Sequence, residues 1–180
     1  MRRFFDGMNV LLILAIGGGA LWAWPHLPSQ IPTHFGMDGR PDAWSARTLE
    51  SWFMVPGIAL LLTAGQGFLR TMIRRKPGWV NLPGTVGLDD LPEKARGPVL
   101  ELLSGFLALV QTEVLVIFGL IQLATYRTAM GQESQGIMVG VLILAVTASP
   151  FLMVVLFSRL PGAMDRAKKL ASRLEASSRG

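Results

Sequence analysis

The apolar runs MNVLLILAIGGGALWAW at residues 8–24 and WFMVPGIALLLTAGQGFLRTM at residues 52–72 decide the fold of this chain. Each is long enough to cross a hydrocarbon core of roughly 30 Å as a helix, which rises about 1.5 Å per residue. Two further apolar runs occupy residues 99–125 and 136–160. Because a segment in lipid must satisfy its own backbone hydrogen bonds, all four are predicted helices. The sequence therefore predicts an all-α integral membrane protein with four transmembrane helices.

The composition agrees with a membrane protein and narrows its chemistry. Hydrophobic residues make up 51% of the 180-residue chain, and cysteine is absent. A chain without cysteine has no disulfides, no thiolate metal ligands and no thiol nucleophile. The net charge of +5 is compatible with either nucleic acid or anionic lipid as a partner. The placement of the cations decides between these two partners.

The cations predict how the chain is oriented. If the N-terminus is cytoplasmic, fourteen of the seventeen Lys and Arg residues lie inside, and Arg40, Arg47 and Arg127 lie outside. This asymmetry follows the positive-inside rule and places both termini in the cytoplasm. We therefore expect a multi-pass protein of the cytoplasmic (inner) membrane whose basic segments contact an anionic inner leaflet. No nucleic-acid partner is expected.

These predictions divide the chain into a four-helix transmembrane domain at residues 1–160 and a basic amphipathic tail at residues 161–180. The outer loop covers residues 25–47, and the cytoplasmic loop covers residues 73–98. In the tail, the apolar residues share one helical stripe opposite the cations, which predicts a helix lying on the inner leaflet. The stripe consists of Met164, Ala167, Leu170, Ala171 and Leu174.

A cleaved signal peptide is a rival interpretation of the first apolar run. Arg2 and Arg3 precede this run, as basic residues precede the apolar core of a secretory signal. The end of the run contains Trp22 and Trp24, however, and such bulky residues make a poor cleavage site. The sequence therefore favours a retained first helix.

The outer loop holds both histidines of the chain and four of its prolines. The prolines and two glycines, Gly36 and Gly39, argue against a long helix here. Alternation from Ile31 to Gly36 is compatible with a short extended segment, and Asp38-Gly39 is typical of a tight turn. Tryptophans near both ends of the loop are placed where an indole ring favours the membrane interface: Trp22, Trp24, Trp44 and Trp52.

Two helix starts have capping signals. Ser45 or Thr48 is predicted to cap the second helix, because a side-chain oxygen there can accept from an unpaired backbone N–H. Asp90 and Glu93 have capping-box spacing, with Pro92 tolerated in the first turn. A cytoplasmic helix is therefore predicted to start at this point and lead into the third span.

The outer loop also contains the clearest candidate site, formed by His34, Asp38 and Asp42. An imidazole and two carboxylates are residue types that bind a divalent metal. The alternative is structural: Asp38 makes a turn, Asp42 caps a backbone N–H, and His34 packs on Trp44 or hydrogen-bonds within the loop. A structural role, a metal or ligand site and an enzymatic role all remain open, and no other cofactor is predicted.

A second group of candidates consists of intramembrane polar residues: Gln66, Gln111, Glu113 and Gln122. An ionised carboxylate near the middle of a span costs about 2.5–3.5 kcal/mol on insertion scales, so Glu113 should face the bundle. Gln66, Thr147 or Ser149 can supply it with hydrogen bonds. Three roles for Glu113 remain open. It hydrogen-bonds between helices and so stabilises the bundle, it belongs to a proton or ligand pathway, or a register shift of the third span places it near an interface.

The outer loop resembles an uncharacterised bacterial membrane domain that also opens the Sdp-type toxin-immunity proteins. The resemblance rests on residues 27–35, LPSQIPTHF, and residues 39–44, GRPDAW. A less specific similarity lies in the linker, at Asn81-Leu82-Pro83 and Leu91-Pro92-Glu93. The resemblance as a whole covers roughly residues 8–125. The motif residues are Pro28, Ile31, Pro32, His34, Phe35, Gly39, Asp42 and Trp44.

The resemblance implies an integral protein of the bacterial cytoplasmic membrane. The longer members of that family confer immunity to a secreted toxin and signal by sequestering a repressor at the membrane. This chain has four predicted spans and lacks the additional helical module of those relatives. The resemblance therefore covers the membrane domain, and most of the short relatives have no assigned activity.

Two functional classes follow from these observations. In the first, a non-catalytic binding or signalling module recognises an extracytoplasmic peptide, lipid or protein through residues 25–47, with the basic inner segments available to a cytoplasmic partner. In the second, a small transporter or metal-dependent enzyme uses Glu113 or the His34, Asp38 and Asp42 group. The first is favoured because neither group supplies a nucleophile, a base and a stabilising group together. Recognition predicts a structured, exposed loop.

Overall fold

The computed structural model describes residues 2–80 and 87–178 and contains four long helices. These are α1 (Arg2–Ala23), α2 (Leu49–Arg75), α3 (Gly97–Ala129) and α4 (Gln135–Ser178). All four are long and apolar enough to cross a membrane, which confirms the predicted integral membrane class. The similarity at Asn81-Leu82-Pro83 lies outside the described residues.

The segment between α1 and α2 folds as a two-stranded hairpin. Strand β1 (Gln30–Phe35) pairs antiparallel with β2 (Pro41–Ala46), with Ile31 opposite Ser45. The expected extended segment and tight turn are therefore both present. The second strand was not predicted, because PDAWSA contains no β-branched residue and starts with a proline.

Helix α3 is the central element, since it contacts each of the other three helices. Its most buried face includes Ala108 and Leu115, which are 0% and 1% exposed. The glycine at position 119 also faces α1, where a Cβ would lie 3.6 Å from Ile16 Cγ1. Small residues on this face allow α1 to approach α3 closely, as is common between membrane helices.

One buried cluster lies beneath the hairpin, at what we call the hairpin end of the bundle. It joins the end of α1, the hairpin and the start of α2 through Ala20, Ala23, Leu27, Ile31 and Trp52. Trp52 is 2% exposed, and its indole Nε1 donates to the Ala20 carbonyl oxygen at 2.8 Å. A buried indole N–H needs such a partner, so this bond fixes α2 against α1.

A second cluster lies at the opposite end, which we call the basic end. It packs Leu88, Leu91 and Val99 against one face of the last part of α4. With 44 residues, α4 is about 66 Å long, more than twice the thickness of a hydrocarbon core. Its final turns therefore extend beyond the span and form a small core with the start of α3.

The tail differs from the expected helix on the membrane surface. Helix α4 continues through Pro161 to Ser178 as one element, so the tail is not a separate helix. Ala163, Ala167 and Ala171 recur at every fourth position and are buried against the basic-end cluster. Because alanine adds little beyond the backbone, these three positions allow the helix to pack closely on the start of α3, whereas Leu170 and Leu174 of the predicted stripe are exposed.

The predicted helix start at Asp90 is wrong. The Asp90 carboxylate accepts from the Gly87 backbone N–H at 2.7 Å, and a short 3-10 turn covers Glu93–Ala95. Helix α3 begins at Gly97, with Pro98 in its first turn. Proline is favoured in the first turn of a helix, where its missing N–H is not needed, so Pro98 suits a helix that starts at Gly97.

The indole bond of Trp52 gives a first prediction. Trp52→Phe removes the donor to the Ala20 carbonyl and leaves a small void, so we expect a loss of about 2 kcal/mol. In a chain of this size that loss corresponds to a fall of roughly 4–8 °C in melting temperature. Thermal unfolding of the purified protein in detergent measures it.

Trp44→Phe is the matched control, because Trp44 is 48% exposed. An exposed substitution of this kind should change stability by less than about 0.5 kcal/mol. Equal melting temperatures for the two variants would mean that the Trp52 bond does not hold α1 and α2 together.

Candidate recognition site

The base of the hairpin is held by Arg47. Its Nη1 donates to the Leu27 carbonyl oxygen at 2.6 Å and, more weakly, to the Trp24 carbonyl oxygen at 3.4 Å. The guanidinium also lies 5.2 Å from the centre of the Trp24 ring, within the range of a cation–π contact. The Arg47 backbone N–H donates to the Ser29 carbonyl at 2.9 Å. One residue thus joins both ends of the hairpin.

The tip of the hairpin rests on the first turn of α4. Gln135 Nε2 donates to the Asp38 carbonyl oxygen at 2.9 Å. Gly39 has φ of +77°, and a Cβ there would lie 2.8 Å from the Gln135 carbonyl oxygen. Only glycine combines this backbone conformation with so close an approach. The hairpin is therefore fixed at its tip as well as at its base.

His34 and Asp42 face each other across the two strands. His34 Nδ1 lies 2.5 Å from Asp42 Oδ1, and the two side chains are 68% and 53% exposed. Such an exposed pair is screened by water and contributes little to stability. The structure thus brings together two of the three predicted candidates, and their position leaves them open to another molecule.

Asp38 is engaged within the turn instead. Its Oδ1 accepts from the Arg40 backbone N–H at 3.1 Å, and its Oδ2 lies 3.8 Å from Arg40 Nε. This is the turn-forming role that the sequence left open for Asp38. Across residues 2–80 and 87–178, no three His, Cys, Asp or Glu side chains are grouped to hold a metal ion. Asp42 pairs with His34 instead of capping a backbone N–H.

The other motif residues divide between the buried and exposed sides of the hairpin. Ile31 and Pro32 are buried and carry the packing of β1 on the bundle. Phe35 is partly buried, whereas Pro28 is exposed. Trp44 is exposed on β2, and Met37 beside the motif is 86% exposed. The hairpin thus exposes these two large apolar side chains.

Helix α2 begins directly after the hairpin, and its cap is Thr48. Thr48 Oγ1 accepts from the Ser51 backbone N–H at 3.1 Å, while Ser51 Oγ accepts from the Thr48 backbone N–H at 3.0 Å. This reciprocal box confirms Thr48, rather than Ser45, as the predicted cap. The chain direction leaving β2 is therefore set by hydrogen bonds of the cap.

Glu113 joins α3 to α4 within the membrane spans. Its Oε1 accepts from Ser149 Oγ at 2.7 Å, which confirms one of the hydrogen-bond donors considered from the sequence. The other carboxylate oxygen, Oε2, is buried and has no protein partner in the described part of the chain. The same holds for Gln66 Oε1 and Gln122 Nε2. Gln122 also lines a mostly apolar cavity of about 320 Å³ between α1 and α3.

A polar network near the basic end was missed by sequence reasoning. Arg70 Nη1 donates to Asp6 Oδ1 at 2.6 Å, and its Nη2 donates to Gln111 Oε1 at 3.3 Å. One turn deeper, Asn9 Nδ2 donates to the Ala108 carbonyl at 2.9 Å. The sequence did contain a signal for it. Asp6 is the one carboxylate of α1, and Arg70 lies at a similar predicted depth. This network connects α1, α2 and α3.

One comparison with known proteins matches the chain at this site. Residues 10–60 match the model of a domain of unknown function (DUF1648). The matched residues run from α1 through the hairpin into α2, and so include the base contacts and the His34–Asp42 pair.

A relative is an uncharacterised protein of Archaeoglobus fulgidus, 36% identical over 88 residues. The match covers 43% of this chain and 46% of that protein, so the chain spans about half the length of the relative. No solved structure matches the chain. The part of the chain that the domain model matches contains the whole hairpin.

The fixed tip predicts a strong effect of Gly39→Ala. The positive φ costs a non-glycine residue about 1–2 kcal/mol, and the new Cβ would also push the hairpin away from Gln135. We expect a lower melting temperature together with faster hydrogen exchange of the Gly36 and Arg40 backbone amides, because the tip is released.

Gly131→Ala separates the cost of the backbone strain from the cost of the steric clash with Gln135. Gly131 has a similar φ of +72° but no atom within 4 Å of a Cβ. It should cost the strain alone, about 1–2 kcal/mol, and leave hydrogen exchange of the Gly36 and Arg40 amides unchanged. If Gly39→Ala were no worse than Gly131→Ala in both measurements, the tip would not be docked on α4.

Proposed function

We propose that this protein is a non-catalytic recognition module of the cytoplasmic membrane that binds an extracytoplasmic peptide or protein through its hairpin. The proposal rests on one observation: the hairpin is fixed at its base and at its tip, while one of its faces is exposed. Arg47 fixes the base, Gly39 lies against α4 at the tip, and the His34–Asp42 pair remains exposed. Preorganised polar groups of this kind bind with a small entropic cost.

The exposed face also indicates what kind of partner it would bind. Trp44 and Met37 offer apolar contact area, and tryptophan is enriched among residues that dominate binding energies. Strand β1 packs on α2 and α3, so β2 carries the outer edge of the sheet. An extended peptide that adds a strand to β2 would gain main-chain hydrogen bonds and place alternate side chains near Trp44. The Asp42 carboxylate would accept from a donor on that peptide.

The orientation of the chain in the membrane is part of this proposal. The excess of cations at the basic end supports placing both termini in the cytoplasm and the hairpin outside. Immunity to a secreted toxin is the particular form that the resemblance implies. In that form, the hairpin binds the toxin and the basic end is available to a cytoplasmic protein partner. The anionic inner leaflet would contact the same basic end.

Substitution of the exposed pair tests recognition. His34→Ala/Asp42→Ala should lower the melting temperature by no more than about 4 °C, since an exposed pair contributes at most about 1 kcal/mol. The same variant should fail to restore growth of a deletion strain in conditioned medium from the parent strain. A photocrosslinking residue at Met37 should lose its extracytoplasmic crosslink in this background.

The control is His26→Ala/Glu133→Ala, which removes the other histidine and an exposed carboxylate at the same end. It should restore growth fully and keep the Met37 crosslink. Recognition through the hairpin would be disproved if both double variants and Trp44→Ala restored growth and crosslinking equally well.

Proton-coupled transport is the second candidate, and it rests on Glu113. A buried carboxylate oxygen without a partner in a membrane span is a functional-site hypothesis by default. A metal-dependent enzyme at His34, Asp38 and Asp42 draws less support, because Asp38 is turned toward Arg40.

Glu113→Gln distinguishes transport from recognition. The amide oxygen can still accept from Ser149, so we expect a folded protein that keeps its hairpin crosslink. If the protein transports protons, flux measured in proteoliposomes with a pH-sensitive dye should fall at least tenfold in this variant. Ser149→Ala retains the carboxylate and is the control. Flux that is present in the wild type and unchanged by Glu113→Gln would exclude Glu113 as the carrier.

A further inference from the structure

A deep groove lies at the basic end, away from the hairpin. It has a volume of about 660 Å³ and runs between the N-terminal part of α1, the first half of α3 and the last part of α4. Its floor is apolar and includes Leu102, Phe106, Leu109 and Leu156. The volume falls within the range of sites that hold small molecules, about 300–1,000 Å³.

The rim of the groove is strongly basic. Arg2, Lys94, Arg159 and Arg166 line it together with one carboxylate, Glu101. Arg2 lies 3.7 Å from Asp6 and is partly neutralised. In the part of the chain that the structure describes, the other three cations make no ion pair. Cations that converge on an apolar cleft without anionic partners attract an anionic ligand.

We propose that this groove binds one anionic phospholipid. The phosphate would lie among Lys94, Arg159 and Arg166, and an acyl chain would lie along the apolar floor. The floor belongs to helices that are apolar enough to cross a membrane, so the groove opens where acyl chains are present. Basic pockets between membrane helices bind lipid headgroups in this way.

The chemistry of the groove argues against two other occupants. A free phosphate would use the rim but leave the apolar floor unoccupied. A second copy of this chain docked through the same face would bring like-charged rims together, which costs several kcal/mol. A phospholipid satisfies the rim and the floor at once, and the site does not depend on the hairpin or on its partner.

Gly105 provides a way to fill the groove without disturbing the helix packing. It lines the groove on α3, and a Cβ added there meets no atom within 4 Å. Leucine at this position would occupy the space of the acyl chain and would also favour the helix. Gly65 on α2 has the same open surroundings and lies outside the groove, so Gly65→Leu is its matched control.

The experiment measures lipid binding to the purified full chain by native mass spectrometry. Phosphatidylglycerol and phosphatidylcholine are compared, with wild type and two charge variants. Arg159→Gln/Arg166→Gln removes two rim cations, and Arg75→Gln/Lys168→Gln removes two cations of the same end outside the groove. At about 1 kcal/mol per cation, the rim variant should bind phosphatidylglycerol roughly thirtyfold more weakly.

The proposal expects one phosphatidylglycerol to stay bound to wild type and to both controls, and to be lost in Gly105→Leu and in the rim variant. Thermal unfolding with inorganic phosphate alone should show no stabilisation. Equal retention of phosphatidylcholine, or equal losses in the rim variant and its charge-matched control, would overturn the site. Retention in Gly105→Leu would place the lipid elsewhere.

Discussion

The buried indole of Trp52 is the contact on which the hairpin end depends. It is the largest side chain of its cluster, and its N–H reaches the end of α1 while its ring supports Ile31 from below. A polar hairpin at the end of an apolar bundle has few apolar residues with which to pack. Burying Ile31 and Leu27 against one large aromatic ring solves this problem, and Arg47 then closes the base by hydrogen bonds.

The motif residues therefore fall into two groups. One group packs the hairpin on the bundle, and the other is exposed on the surface of the hairpin. Ile31 and Gly39 are fully enclosed by the bundle, so their identities are set by packing. His34 and Asp42 have no such constraint, because their pairing is exposed and contributes little to stability. Residues that do not stabilise the fold are free to serve binding, which is why the exposed side carries the functional hypothesis.

Sequence reasoning reached the class, the four spans and the turn, because these depend on local length, hydropathy and glycine chemistry. It missed β2, whose residues have weak strand propensity and pair only because β1 is already anchored through Ile31. It also missed the Asp6–Arg70–Gln111 network, since its members are far apart in the chain and their depths are fixed only by helix packing. The capping box at Asp90 failed because the Asp90 carboxylate accepts from the Gly87 backbone N–H instead of from the first turn of a helix.

The two ends of the molecule are joined by α4. Its first turn carries the hairpin tip through Gln135, and its last turns pack into the basic-end cluster through Ala171. Between them, Pro150 and Pro161 each remove one backbone hydrogen bond, and Ser149 ties the helix to Glu113 of α3. A displacement of the hairpin tip would therefore act on α4 as well as on the cluster around Trp52. The prolines are the points at which that helix bends most easily, and the Glu113–Ser149 bond restrains the helix beside Pro150.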